Sequence, residues 1–434
     1  MKQLYKIALV TGLAAALQVL PQSVYSQTPV QETPETPADT TLSLQFPPLT
    51  GPYQVGKTSY YWVDSDRAET YTYEAYDLQT QQLLTTPPPT DRRELLVQVW
   101  YPAVAEAADE LVPYMDEGFA IAAAEPFSEA FGVTPEAFTE LITQHVYPYA
   151  RANAAIADAP EPYPVILLFP GFGSPPNKYT ALIEQFVSHG YAVVGVTSTH
   201  ETPTTFPDGR VTTQSTVFDF SSADEETEQR VFDQAVKIRA ADASFVLDQL
   251  EQINQKDPQG LLTYRLDLNN IGIMGHSLGG DTVIEAMRVD ARFDAGLDLD
   301  GGDYGPMFSG ETTERLERPF MVMFGEGDSF ALQSIYPSFL GDTYRLTIQG
   351  SMHNSFSDMA LLPPLFLAHS GQPTLPVQNW LGSIEPERAT EIINAYGLAF
   401  FNQYLKHQDE RLLENASPNY PEVVFEFYPK QATY

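Results

Sequence analysis

Ile271-Gly-Ile-Met274, Gly275-His-Ser-Leu-Gly279 and Gly280 to Val289 follow one another as an apolar strand, a Gly-x-Ser-x-Gly turn and a helix. The glycines permit a tight strand-to-helix reversal that lifts the Ser277 hydroxyl above a sheet, at the N-terminus of the next helix. A bare Gly-x-Ser-x-Gly occurs by chance in many chains. One set between an apolar strand and a glycine-led helix is more than an ordinary βα turn.

Strand and helix signals alternate on both sides of this turn. Upstream, Val165-Ile-Leu-Leu-Phe169 is apolar throughout, as expected of a strand covered on both faces. A helix over Tyr179 to His189 stops at Gly190, and Tyr191 to Val196 is the next strand. A polar loop spans about 199–228, then a helix from Gln229 to Gln252. Downstream come strands at Ala295 to Leu299, Phe320 to Phe324 and Tyr344 to Ile348. A helix from Glu387 to His407 carries Ile393, Tyr396, Phe400 and Tyr404 on one stripe. Such alternation predicts an α/β fold with a mostly parallel central sheet and helices on both faces. Earlier in the chain, Tyr60 to Val63 and Glu94 to Tyr101 read as strands, the second closed by Pro102. Residues 103–160 form an insertion with helical patches at Phe119 to Glu125 and Pro135 to His145.

The N-terminus reads differently. Lys2 and Lys6 precede a short apolar stretch, Ile7 to Leu17, and Val24 and Ser26 suit a cleavage site after Ser26. Residues 1–26 are therefore expected to be a secretory signal peptide, too short in its apolar part to span a bilayer, which takes about 20 residues. Residues 27–50, rich in Pro, Thr, Gln and Glu, are expected to be a flexible linker. A single catalytic domain is expected over 51–434, in the periplasm or outside the cell, with no transmembrane segment in the mature chain. The 434 residues carry 57 acidic against 23 basic side chains, a net charge of -34. That charge repels phosphates and argues against nucleic-acid partners and anionic membrane surfaces. The absence of cysteine excludes disulfides, thiolate metal sites and cysteine nucleophiles.

A serine nucleophile needs a base, and there are seven histidines. His276 lies inside the turn and points away from the Ser277 hydroxyl. His145, His189, His369 and His407 fall in insertions or at helix ends. His200 follows a strand but precedes the serine. His353 follows the last of the parallel strands, and the order Ser, acid, His makes it the base. The acid must sit at the carboxyl end of a parallel strand, where Asp300 and Asp328 are both eligible. Asp298 faces the other side of its strand. The Ser277 oxyanion needs two backbone donors: Leu278, directly after the serine, and Phe172, in Phe169-Pro-Gly-Phe-Gly173 after an early strand.

Gly275 to Gly280, Thr282-Val-Ile284, Arg292-Phe293, Gly296 and Leu299-Asp300 resemble the secreted platelet-activating factor acetylhydrolases (group VII phospholipases A2) and their bacterial relatives. The likeness extends to Val97-Gln-Val-Trp-Tyr-Pro102, Ser188-His-Gly190, Arg239, and Gly350 to His353 with Phe356 and Asp358. It implies an α/β-hydrolase fold, ester hydrolysis through an acyl-enzyme, and no metal or cofactor. It also implies oxyanion donors at Phe172 and Leu278. In that family the acid follows the serine by the interval that separates Asp300 from Ser277, so the resemblance favours Asp300. Two features depart from it: Leu278 stands where animal members have Phe, and Gly325-Glu-Gly-Asp328 is similar to the acid loop of cutinase-like polyester hydrolases. The expected substrate is a small-molecule or lipid-derived ester. A cutinase-like or lipase activity is the alternative, and a non-catalytic binding protein the alternative of another class.

Overall fold

Every side chain from Val165 to Phe169 is buried, and successive residues face opposite ways. Val165, Leu167 and Phe169 belong to one apolar layer, Ile166 and Leu168 to another. That two-sided burial is why the run is apolar without alternation. In the computed structural model, residues 43–85, 88–104, 109–327, 331–375, 377 and 380–430 are described. The expected signal peptide and residues 27–42 of the expected linker lie outside them.

Among the described residues, nine strands make up the body of the central sheet. They are β1 (Gln54–Ala68), β2 (Arg92–Val104), β3 (Tyr163–Phe169), β4 (Ala192–Val196) and β5 (Leu266–His276). The others are β6 (Ala295–Leu299), β7 (Phe320–Phe324), β8 (Thr343–Ile348) and β9 (Val423–Tyr428). Their spatial order is β1-β2-β4-β3-β5-β6-β7-β8-β9, with Arg151–Ala152 beyond β1 and Ala155–Ile156 beside β2. Strands β3 to β8 are mutually parallel, while β1, β2 and β9 join antiparallel. The chain leaves β3 toward β4 and returns to β5 on the other side of β3. The carboxyl ends of β3 and β5 therefore border the crevice where such sheets bind ligands. This is the expected α/β fold with a mostly parallel sheet.

Helices cover both faces. On one lie α5 (Glu225–Gln255) and α6 (Leu278–Val289), through Ala243, Val246, Leu250, Val283 and Met287. On the other lie α4 (Thr180–Ser188) and α9 (Pro386–Leu405), through Ile183, Phe186, Ile393 and Phe400. The 103–160 insertion folds as α1 (Glu117–Ala122), α2 (Ala124–Phe131) and α3 (Pro135–Gln144). It packs on α8 (Pro363–Ser370) through Phe131, Phe138 and Phe366; a single helical turn, α7 (Pro306–Ser309), follows β6.

The structure moves several expected boundaries. Strand β2 runs through Pro102 to Val104, because its ladder to β4 ends at Trp100 and the Pro102 carbonyl accepts the Ala157 N–H. Helix α5 starts at Glu225, where the Asp224 carboxylate caps the Thr227 N–H and acidic residues fill the first turn. Residues 44–46, expected within the linker, are docked on the domain. Leu44–Gln45 pairs with Val146–Tyr147, and Phe46 is buried against Tyr114. Apolar side chains set among the prolines give this segment a surface to dock. The 199–228 loop holds two short strands, Thr204–Thr205 and Arg210–Thr212, which form a small sheet with Ala75–Asp77. Among the described residues no helix is long and apolar enough to cross a membrane.

Glycine is required where α6 crosses the end of β3. A Cβ on Gly279 would lie 2.1 Å from the Phe169 carbonyl oxygen, and one on Gly275 would lie 2.1 Å from that of Gly279. Both obstructions are backbone, so the helix itself would have to shift. Gly279→Ala is expected to destabilise the protein by about 1–3 kcal/mol, read as a lowered Tm; an unchanged Tm would mean the helix can move away without cost.

Candidate active site

Ser277 stands at the tip between β5 and α6 with φ 56° and ψ −126°, a conformation that non-glycine residues rarely hold. Its N–H donates to the Leu299 carbonyl at 2.9 Å, and its own carbonyl accepts the Gly280 N–H at 2.7 Å. Bonds to the neighbouring strand and to its own helix thus hold the turn in place, and the side chain is left half-buried at the surface of the sheet end.

Asp300 follows β6 directly and also has a positive φ, 57°. Its N–H bonds the Met323 carbonyl at 2.8 Å, and its Oδ1 accepts the Gly325 N–H at 2.8 Å. The second carboxylate oxygen, Oδ2, lies 2.7 Å from His353 Nδ1. Asp300 is 2% exposed, whereas the His353 side chain retains 23% exposure. One carboxylate oxygen is therefore anchored to β7's exit and the other orients the imidazole. Asp298 turns to the opposite side and accepts the Gly301 N–H at 2.9 Å; burial pushes its carboxyl well above the usual range. Asp328 lies outside the described residues.

The segment after β3 closes the third side. A Cβ on Gly171 would sit 3.4 Å from the Ser277 Cβ, so Pro170 to Gly173 lies directly against the serine. Among the described residues, no protein acceptor is engaged by the N–H of Phe172 or of Leu278. Leu278 opens α6, where the helix dipole adds to the donor. The Phe172 ring packs on Phe218 and Phe232, at centroid distances of 5.0 and 5.1 Å, and Tyr304 joins the same cluster. Phe218 comes from the 199–228 loop, so that loop supplies an apolar wall beside the donor segment.

Two sets of contacts at the site escaped the sequence reading. The fully buried Arg239 donates to the Pro170 carbonyl at 2.7 Å and pairs with the equally buried Glu201. Removing either partner would strand a buried charge, so the pair holds the loop carrying Phe172 firmly. Tyr179 and His276 form a second set of contacts to the same loop. His276 is buried, and both its ring nitrogens are hydrogen-bonded. Apart from Tyr179 and its loop, these partners are tens of residues apart in sequence, and no local spacing announces them.

Three other histidines are engaged elsewhere. His200 is buried, stacked on Tyr73 at 3.7 Å, and burial beside Arg93 and Arg210 holds its pKa well below the ordinary value. His189 Nε2 bonds Thr50 Oγ1, and His369 Nδ1 bonds the Leu365 carbonyl. No group of three or more potential metal ligands occurs among the described residues.

Residues 39–419 match the family model described as platelet-activating factor acetylhydrolase, isoform II. A probable 1-alkyl-2-acetylglycerophosphocholine esterase of Arthroderma benhamiae is 27% identical over 275 residues, 60% of this chain and 66% of that protein. The platelet-activating factor acetylhydrolase of Cavia porcellus is 25% identical over 266 residues, 56% of this chain and 58% of that one. The matched stretch thus spans less than two thirds of either relative's length. Among solved structures, a ferulic acid esterase from Streptomyces cinnamoneus aligns with TM-score 0.67 and 28% identity, covering 88% of this chain and 99% of its own.

Proposed function

Because this chain belongs to the platelet-activating factor acetylhydrolase isoform II family, we propose that it is a secreted serine carboxylic-ester hydrolase acting through Ser277, His353 and Asp300. The observation that carries this reading is the 2.7 Å contact of His353 Nδ1 with a buried Asp300 whose other oxygen is already anchored, beside a strained Ser277. Asp300 keeps the proton of a neutral His353 on Nδ1 and leaves Nε2 to act as base. Ser277 Oγ attacks the ester carbonyl as Nε2 takes its proton. The N–H groups of Phe172 and Leu278 hold the resulting oxyanion, each contributing about 3 kcal/mol in sites of this kind. The imidazolium then protonates the leaving alkoxide. Water, deprotonated by the same nitrogen, releases the acyl group from Ser277.

The substrate class follows from surroundings rather than from the triad. A net charge of -34 disfavours docking on anionic bilayers and favours neutral or soluble esters. The Phe172–Phe218 wall gives an acyl group an apolar surface close to the oxyanion donors. Short-chain or lipid-derived esters fit best, and the ferulic acid esterase among the structural relatives adds hydroxycinnamoyl esters to the trial set. Hydrolysis of p-nitrophenyl esters from acetate to palmitate, beside methyl ferulate, tests this. Rates are expected to peak at short acyl chains. A peak at long chains would make the protein a lipase, and no turnover of any ester would favour a binding protein.

A further inference from the structure

Three hydrogen bonds run in series across the site. The Gly171 N–H donates to Tyr179 Oη at 2.9 Å, Tyr179 Oη lies 2.9 Å from His276 Nδ1, and His276 Nε2 lies 3.0 Å from the His353 carbonyl oxygen. Their directions are fixed by the groups at the two ends and by the neutral state of the middle ring. A backbone carbonyl can only accept, so His276 Nε2 carries a hydrogen. A backbone N–H can only donate, so Tyr179 Oη accepts from Gly171; burial keeps His276 neutral, so its Nδ1 is a bare acceptor and takes the Tyr179 hydrogen. His276 is therefore the neutral Nε2–H tautomer.

We propose that His276 and Tyr179 are positioning residues that tie the loop bearing the oxyanion donor Phe172 to the loop bearing the base His353. This rests on the ester-hydrolase reading above. The first bond grips Gly171, next to Phe172, and the last grips the backbone of His353 itself, while Asp300 sets only the rotation of its ring. The His276 ring also packs on the His353 ring at 4.6 Å and on Phe356 at 6.3 Å. Gly171 is so close that a Cβ there would come within 3.2 Å of His276 Nδ1. One imidazole thereby sets the separation between the atom that takes the proton and the donor that holds the oxyanion. Burial supports the arrangement. It pushes the Tyr179 phenol up, and together with the neighbouring His353 and Lys178 it keeps His276 well below the ordinary histidine pKa. A protonated His276 would turn a second N–H toward Tyr179 and reverse the middle bond of the series.

The test combines Tyr179→Phe, His276→Gln, His276→Leu and the double variant Tyr179→Phe/His276→Gln. Each is assayed for kcat and KM on p-nitrophenyl acetate, with active sites titrated by a p-nitrophenyl-releasing organophosphate. Misplacement on the scale of an ångström costs about 100-fold. Accordingly kcat per titrated site should fall about 10- to 100-fold in Tyr179→Phe with KM within about twofold. His276→Gln, whose amide can still donate to the His353 carbonyl, should keep more activity than His276→Leu. The double variant should be no slower than the slower single, as expected of one connected unit. A merely structural role would lower Tm or the number of titratable sites and leave kcat per site alone. An unchanged kcat in Tyr179→Phe, or effects that multiply in the double variant, would overturn the inference. Imidazole ¹⁵N NMR of the wild type supplies a readout independent of turnover: His276 should be a neutral Nε2–H ring at neutral pH. An Nδ1–H or protonated ring would also refute the proposal. A wild type without serine-dependent turnover removes the hydrolase reading along with it, whereas an active wild type with an unaffected Tyr179→Phe removes the positioning role alone.

Discussion

Ser277→Ala is expected to lower kcat on the best p-nitrophenyl ester by about 10⁵-fold or more, the loss seen when the nucleophile of a serine hydrolase is deleted. The fold should survive. The turn is held by the Ser277 N–H to the Leu299 carbonyl and by the Gly280 N–H to the Ser277 carbonyl. Both bonds belong to the backbone and persist with alanine. Only the hydroxyl is lost, from a half-buried side chain. The measurement is steady-state hydrolysis together with a thermal melt. A Tm close to wild type with turnover at the background rate is the expected pair. Substantial turnover with an intact fold would place the nucleophile elsewhere and undo the proposed mechanism.

Asp300→Asn should cost about 10⁴-fold in kcat, with little change in KM. The reason lies in what each oxygen of Asp300 does. Oδ1 accepts the Gly325 N–H, and an asparagine in this place keeps its carbonyl oxygen there, since its NH₂ would otherwise confront a donor. The NH₂ then faces His353 Nδ1, where the carboxylate now stands. A donor in that position favours the tautomer with a bare Nδ1 and a hydrogen on Nε2, which cannot take the Ser277 proton. Asp328→Asn is expected to change kcat by no more than severalfold. The opposite pattern, a severe Asp328→Asn and a mild Asp300→Asn, would assign the acid to the end of β7. Comparing both variants at equal titrated active-site concentration separates the two acids cleanly.

The features that could be read from the sequence are those set by residues close together in the chain. The apolar runs Val165–Phe169 and Phe320–Phe324, the stripe on α9 and the glycine spacing around Ser277 each reflect local geometry: burial on two faces, a 3.6-residue period, or a turn too tight for a Cβ. These predict an α/β sheet and the position of the serine turn. Element ends were less legible, because Pro102 and Glu225 behave as they do on account of a ladder that stops and a cap that reaches back. Residues 43–50 are proline-rich by composition, yet Leu44 and Phe46 find partners in the insertion.

Among candidates at strand ends, composition and order leave Asp300 and Asp328 equivalent. In the structure, Asp300 has a positive φ and accepts the Gly325 N–H from the neighbouring strand's exit, which together aim its other oxygen at His353. That contact depends on the β6–β7 register and the loop after β8, neither of which has a local signature. The same holds for Arg239 on Pro170 and for the Tyr179–His276 series, whose members lie on four different segments. By itself, then, the sequence determined the sheet, the serine turn and the order of the chemical groups. Only the tertiary structure brings Asp300 to His353 and supplies the contacts that hold the loop after β3. Periodicity and turn chemistry act between residues within a few positions of one another, whereas hydrogen bonds between loops exist only once the sheet has brought their ends to one edge.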